Sequence, residues 1–237
     1  MSEPVTAELH AHHRDVTGGP MRAATFGVMD GLVSNFALLA GVAGTSASAS
    51  AMALTGVAGL VAGACSMAVG EYVSVRSQTE LMQDEIDREK REIKANPEGE
   101  QSELVLLLRA KGLSESVALI AARELSANPE HVWRTHVREE LGVDPDDLPS
   151  PWVAAGSSFV AFCLGAALPV LPYLLGYDSM LALILISAVG LVLAGAVVAH
   201  LTARSLIRGA LRQLVLGSAA AAVTFVIGTV ATGGALG

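Results

Sequence analysis

Residues 23–43 read AATFGVMDGLVSNFALLAGVA, an apolar run broken by a single acid, Asp30, about a third of the way along. An α-helix rises ~1.5 Å per residue and the hydrocarbon core of a bilayer is about 30 Å thick, so the run is long enough to span. A carboxylate at that depth costs free energy unless something binds it. Asp30 is therefore a candidate element of a transport path.

Four further apolar runs follow, at about 51–75, 152–175, 180–201 and 211–232. Each is about 20 residues or longer, the length a spanning helix needs. The expected fold class is all-α: a polytopic membrane protein with five transmembrane helices. Composition agrees, because 52% of residues are hydrophobic, only 16% are charged, and 24 glycines suit closely packed membrane helices. Short alternating strands are missing from the pattern, which argues against a barrel.

Basic residues set the expected orientation. Arg14 and Arg22 precede the first run, ten Lys and Arg lie between Arg76 and Arg138, and Arg204, Arg208 and Arg212 flank the last connection, so all fifteen fall on one side. The connections at 44–50 and 176–179 carry none. By the positive-inside rule the N-terminus and the long insert are expected in the cytosol and the C-terminus outside. Residues 1–20 hold no apolar core of a signal peptide, so insertion is expected to rely on the first span. The compact, Ala/Gly-rich form points to a bacterial inner membrane. Cys65 and Cys163 each lie within a run, outside any Cys-x-x-Cys pair, and read as small packing residues.

The chain divides by composition into an N-terminal cytosolic tail at 1–20, spans one and two at 21–75, a polar segment at 76–150, and spans three to five at 151–237. The polar segment holds 17 acidic and 10 basic residues, which accounts for nearly all of the formal charge of −8. It reads as a separate cytosolic helical domain. Asn96-Pro97, Lys111-Gly112, Asn128-Pro129 and Leu141-Gly142 punctuate it into helices at about 77–95, 98–110, 114–127 and 130–141.

With the first span entering from the cytosol near Ala23 and the second returning near Val75, Asp30 lies roughly 10 Å deep, Met67 roughly 12 Å and Glu71 roughly 6 Å. Ser34 is four residues beyond Asp30, and Met67 and Glu71 are four apart, so each pair shares a helical face. Gly59 and Gly63 have the small-xxx-small spacing that permits close helix approach. Two carboxylates and a thioether form a mixed hard and soft donor set. That set favours first-row transition metals, Fe2+ with Mn2+ close behind, over Ca2+ or Mg2+. Each residue also has an ordinary reading: Asp30 as a buried partner of Asn35, Met67 as core filler, Glu71 as an interfacial residue beside Tyr72.

Along the first insert helix Glu85, Glu89 and Glu92 recur at spacings of four and three, on one face. Glu100 and Glu103 repeat the three-residue spacing, and the last helix adds His136, Glu139 and Glu140. Like charges at these spacings repel unless a cation lies between them. A solvated face with incidental pairs, Glu85 or Glu89 with Arg88, is the alternative.

The strings DGLVSNFAL at 30–38 and GACSMAVGEYVSVRSQ at 63–78 closely resemble the first two spans of the vacuolar iron transporter family. Five spans with a helical insert after the second are similar to its layout over residues 20–237. The resemblance implies a homodimeric exporter that takes Fe2+, and Mn2+ as well, out of the cytosol in exchange for protons. It implies that Asp30 and Met67 line the path at the dimer interface. It also implies that Glu89, Glu92, Glu100, Glu103 and Glu140 hold divalent metal near the pore mouth, with Glu85, Glu139 and His136 as further candidates. Eukaryotic members of the family offer methionine near the position of His136, so the ligand set of that helix departs from the family pattern.

Other classes find less support. A ferritin-like di-iron oxidase needs Glu-x-x-His on two helices and the sequence has none, so neither enzyme activity nor a prosthetic group is expected. A membrane metal sensor that does not transport is separated from a carrier by flux alone. No phosphate-binding glycine loop supports ATP hydrolysis as the drive. Metal and proton compete for a carboxylate, so Asp30 and Glu71 are the expected points of proton exchange. His10, His12 and His13 read as part of a disordered tail. The expected partners are divalent metal ions, protons, the bilayer and a second copy of the chain, with no nucleic acid.

Overall fold

The computed structural model describes residues 20–233, and His10, His12 and His13 lie outside them. Helix α1 spans Pro20–Ala43, α2 Ala49–Ala95, α3 Pro97–Ala110, α4 Glu115–Ser126 and α5 Pro129–His136, which runs into a π-turn at Val137–Leu141. Helices α6 Pro151–Leu174, α7 Met180–Leu201 and α8 Leu206–Gly233 follow. No strand occurs among the described residues. Five helices, α1, α2, α6, α7 and α8, are long and apolar enough to cross a membrane.

The polarity change at Arg76 predicts a helix boundary there, and the structure has none: α2 is one helix of 47 residues. Polarity decides what a helix faces, whereas its backbone is broken by Gly, Pro or a competing cap. Residues 71–95 contain neither Gly nor Pro, and Arg76 with Glu80 at 2.6 Å and Arg88 with Glu92 at 3.1 Å add stabilising pairs one turn apart. Asn96-Pro97 does end it. Pro97 would lose a hydrogen bond inside a helix but is favoured at its first position, and Asn96 Oδ1 accepts from the Gly99 N–H at 3.1 Å to cap α3. Asn128 repeats the device ahead of Pro129, accepting from the Glu130 N–H at 2.9 Å. Gly142, at φ 65°, takes the left-handed conformation that closes the π-turn.

The described chain packs as two units. One comprises α1, α2 as far as Tyr72, and α6 to α8; the other covers Val73–Pro151. In the first, Leu32, Phe36, Leu39, Met52, Val170, Tyr173, Leu183 and Leu191 form the buried core. Lipid is as apolar as these side chains, so helix association rests on close packing and buried polar bonds. A Cβ on Gly44 would lie 2.6 Å from the Phe225 carbonyl, and one on Gly31 would strike the Phe162 carbonyl, so α1 meets α8 and α6 through bare backbone. The Thr224 hydroxyl donates to the Ala37 carbonyl at 2.5 Å across the α1–α8 contact. Cys163 packs beside Phe162 and Ala166, half-buried, whereas Cys65 is exposed on α2 and does not fill the packing role expected of it.

The second unit has a small core of Leu104, Val105, Ala118 and Ala122 between α3 and α4. The Thr79 hydroxyl donates to the Pro149 carbonyl at 2.9 Å, tying the two ends of this unit together.

Candidate metal path and carboxylate–histidine cluster

Asp30, Ser34 and Leu38 follow at four-residue steps along α1 and are exposed on one face of it. From α2, Gly59, Gly63 and Met67 arrive at the same spacing, and Phe162 of α6 closes one wall. With Asn35 and Ser66 they line an open groove of about 290 Å³. Asp30, Met67 and Ser34, all singled out in the sequence, thus share one space. Glu71 lies one turn beyond Met67 and does not line it. The Ser34 hydroxyl donates to the Asp30 main-chain oxygen at 2.6 Å rather than to the carboxylate. Among the described residues, neither a hydrogen bond nor an ion pair engages the Asp30 carboxylate.

Asn35 is not the partner of Asp30 that an ordinary reading makes it. Its Nδ2 donates to the carbonyls of Gly56, at 3.2 Å, and Ala166, at 2.6 Å, and so joins α1 to α2 and α6. Sequence reasoning passed over it as a groove residue. The available signal was that it is the sole amide side chain in the run at 23–43.

In the second unit His136 is completely buried. Its Nδ1 lies 2.8 Å from Glu140 Oε1, 3.0 Å from Glu89 Oε1 and 3.8 Å from Glu100 Oε2. One ligand atom each from Glu89, Glu100 and His136 falls within 4.8 Å of the others, an arrangement able to close on a single ion. His136 Nε2 is buried without a hydrogen-bond partner among the described residues, and Glu89 Oε1, also buried, has the His136 ring as a neighbour at 3.0 Å but no aligned hydrogen bond. The π-turn that begins at Val137 widens the backbone next to the histidine, a distortion often found at functional sites. Burial pushes Glu89 up to about 7, with the Glu140 charge adding to it and His136 opposing. Burial likewise raises Glu100, again against His136.

The remaining candidates stand apart from this centre. Glu92 and Glu85 both pair with Arg88, at 3.1 and 3.8 Å. Glu139 pairs with Lys111, and Glu103 is exposed, acting on Glu100 through its charge. The sequence-level stripe of glutamates is therefore divided: Glu89, Glu100 and Glu140 converge on His136, while Glu85 and Glu92 engage an arginine of their own helix. A carboxylate and imidazole set of this kind suits divalent first-row metals.

Five apolar helices with an acidic groove among them, and a separate carboxylate–histidine cluster, define a multi-pass α-helical membrane protein equipped to handle cations. Residues 21–229 match the model of the VIT family, and the chain belongs to that family. It is 32% identical to vacuolar iron transporter 1 of Arabidopsis thaliana, over 96% of this chain and 94% of the relative. It is 34% identical to the vacuolar iron transporter of Acanthamoeba castellanii, over 90% and 78% respectively. Vacuolar iron transporter homolog 1 of Oryza sativa subsp. japonica is 32% identical, over 86% and 71%. These relatives are named as transporters rather than enzymes.

Proposed function

We propose that the chain carries Fe2+, with Mn2+ as a second substrate, out of the cytosol in exchange for protons, as a two-fold dimer. The observation that carries this reading is the groove: a carboxylate and a thioether from two apolar helices face one space, and among the described residues no cation pairs with the acid. The names of the relatives support iron as the substrate. Loss of metal and gain of a proton are alternative states of one carboxylate, which supplies the coupling. The cytosolic placement of the polar insert rests on the one-sided distribution of all fifteen Lys and Arg. In this scheme Glu89, Glu100, His136 and Glu140 gather metal from the cytosol, and Glu92 and Glu103 add negative potential around them.

Exposure supports the dimer. Phe26 is 63% exposed, and Asp30, Ser34 and Leu38 continue the same stripe, so an isolated chain would present a carboxylate to lipid. A second copy packed on that stripe encloses it, and a two-fold axis makes the contact self-complementary. Single cysteines placed along 27–34, with Cys65 and Cys163 replaced by alanine, should crosslink most strongly at 30 and 34 and weakly at the buried positions 31 and 32. Absence of crosslinking along the whole stretch would count against the dimer.

Reconstitution in liposomes with Fe2+, Mn2+, Zn2+ and Co2+ supplied in parallel tests the substrate assignment. Met67→Leu keeps the volume and removes the thioether, so Fe2+ flux should fall more than Mn2+ flux. Equal losses for the two metals would give Met67 a purely steric part.

A further inference from the structure

We propose that the side-chain oxygen of Asn35 is itself a ligand in the metal path, a neutral, hard donor that acts with Asp30 and against the selectivity of Met67. The proposal rests on the reading of the groove as a metal path. Asn35 is only 2% exposed, and its orientation is forced. Both of its contacts to other helices, Gly56 O at 3.2 Å and Ala166 O at 2.6 Å, are carbonyls that only accept, so the nitrogen must face them. The oxygen is left outside both of these bonds. It is buried and has no hydrogen-bond partner among the described residues. Buried acceptors are nearly always paired, and one held unpaired by two bonds on its own amide needs a reason.

The position of the oxygen supplies one. A Cβ on Gly59 would lie 2.9 Å from Asn35 Oδ1, so the oxygen faces α2 at a groove-lining residue that has no side chain to cover it. Met67 lines the same groove two turns further along α2. The nearby Ser34 hydroxyl is already committed to the Asp30 main-chain oxygen. An amide oxygen adds a donor to a cation without adding charge that must later be neutralised. Carbonyl oxygens suit Mn2+ and harder ions, whereas a thioether suits softer ones, so Asn35 and Met67 bias the path in opposite directions.

The test is transport of Fe2+ and Mn2+, each below saturation, by the full chain in liposomes. Asn35→Leu removes the oxygen, but also the bonds to Gly56 and Ala166, so a second variant leaves Asn35 in place and covers it. Gly59→Ala brings a methyl against Oδ1; it also meets Leu38 Cδ2 at 2.5 Å, and Leu38→Ala relieves that second contact. The double variant Leu38→Ala/Gly59→Ala, measured against Leu38→Ala, should lose about tenfold or more in Mn2+ transport, since loss of even an outer-shell partner of a metal site costs about that factor, with a smaller loss for Fe2+. Unchanged flux of both metals, or losses by one common factor, would overturn the proposal. Wild-type protein that moves neither metal would overturn the transport reading and this proposal with it.

Discussion

Asp30→Asn should bring Fe2+ flux down to that of protein-free vesicles while the protein still inserts and dimerises. The substitution changes charge and little else: the side-chain volume is nearly the same, and among the described residues the one side-chain donor to Asp30, the Ser34 hydroxyl, bonds its main-chain oxygen, which the variant keeps. Helix packing nearby depends on Gly31 and Leu32 rather than on the exposed carboxylate. What is lost is the only formal negative charge among the described residues that line the groove, and with it both the attraction for a divalent cation and the site at which a proton replaces it. Flux in liposomes, alongside the elution volume of the purified variant, separates transport from assembly. Wild-type flux in this variant would remove Asp30 from the path.

Divalent metal should raise the melting temperature of the full-length protein, and the gain should grow with both metal concentration and pH. Folded Glu89 holds its proton up to about 7, among Glu140, His136, Glu100 and Glu92, whereas an unfolded glutamate releases it near 4.5. Between those values the folded state binds more protons than the unfolded one, so the contribution of this group to stability falls as pH rises through the window. Metal needs the ionised carboxylate, so its stabilisation increases over the same window, by about 2.7 kcal/mol at a hundred times Kd once the site is fully ionised. Glu89→Gln should flatten the metal-free pH dependence. Combined Glu→Gln changes at Glu89, Glu92, Glu100 and Glu103 should remove the metal gain and slow transport at low metal, without the complete loss expected for Asp30→Asn. A melting temperature that Mn2+ leaves unchanged at about pH 8 would reduce the acidic face to a solvated surface.

The spans were legible because an apolar run of membrane length has few alternatives, and Asp30 stood out as an acid within one. Its meeting with Met67 was legible too, since depth and a four-residue period place both on facing helices. The continuity of α2 was not, because a change from apolar to charged residues at Arg76 resembles a domain boundary, although nothing in 71–95 interrupts a helix. Among the insert glutamates, spacing gave a common face but no partner. Whether Glu92 meets Arg88 or a metal centre depends on rotamers and on where α3 and α5 fold back, which a one-dimensional period does not contain. The same limit hid Asn35. An asparagine in an apolar run is visible, but the two carbonyls that fix its orientation lie 21 and 131 residues away.

Simultaneous recording of Fe2+ uptake and internal pH in proteoliposomes, with a proton gradient imposed across the membrane, tests proton-coupled iron transport most directly. Fe2+ entry should be accompanied by proton movement in the opposite direction, with uptake reduced when the gradient is collapsed by an ionophore. Fe2+ uptake no greater than in protein-free vesicles, or uptake with no proton counterflow and no response to the gradient, would contradict it.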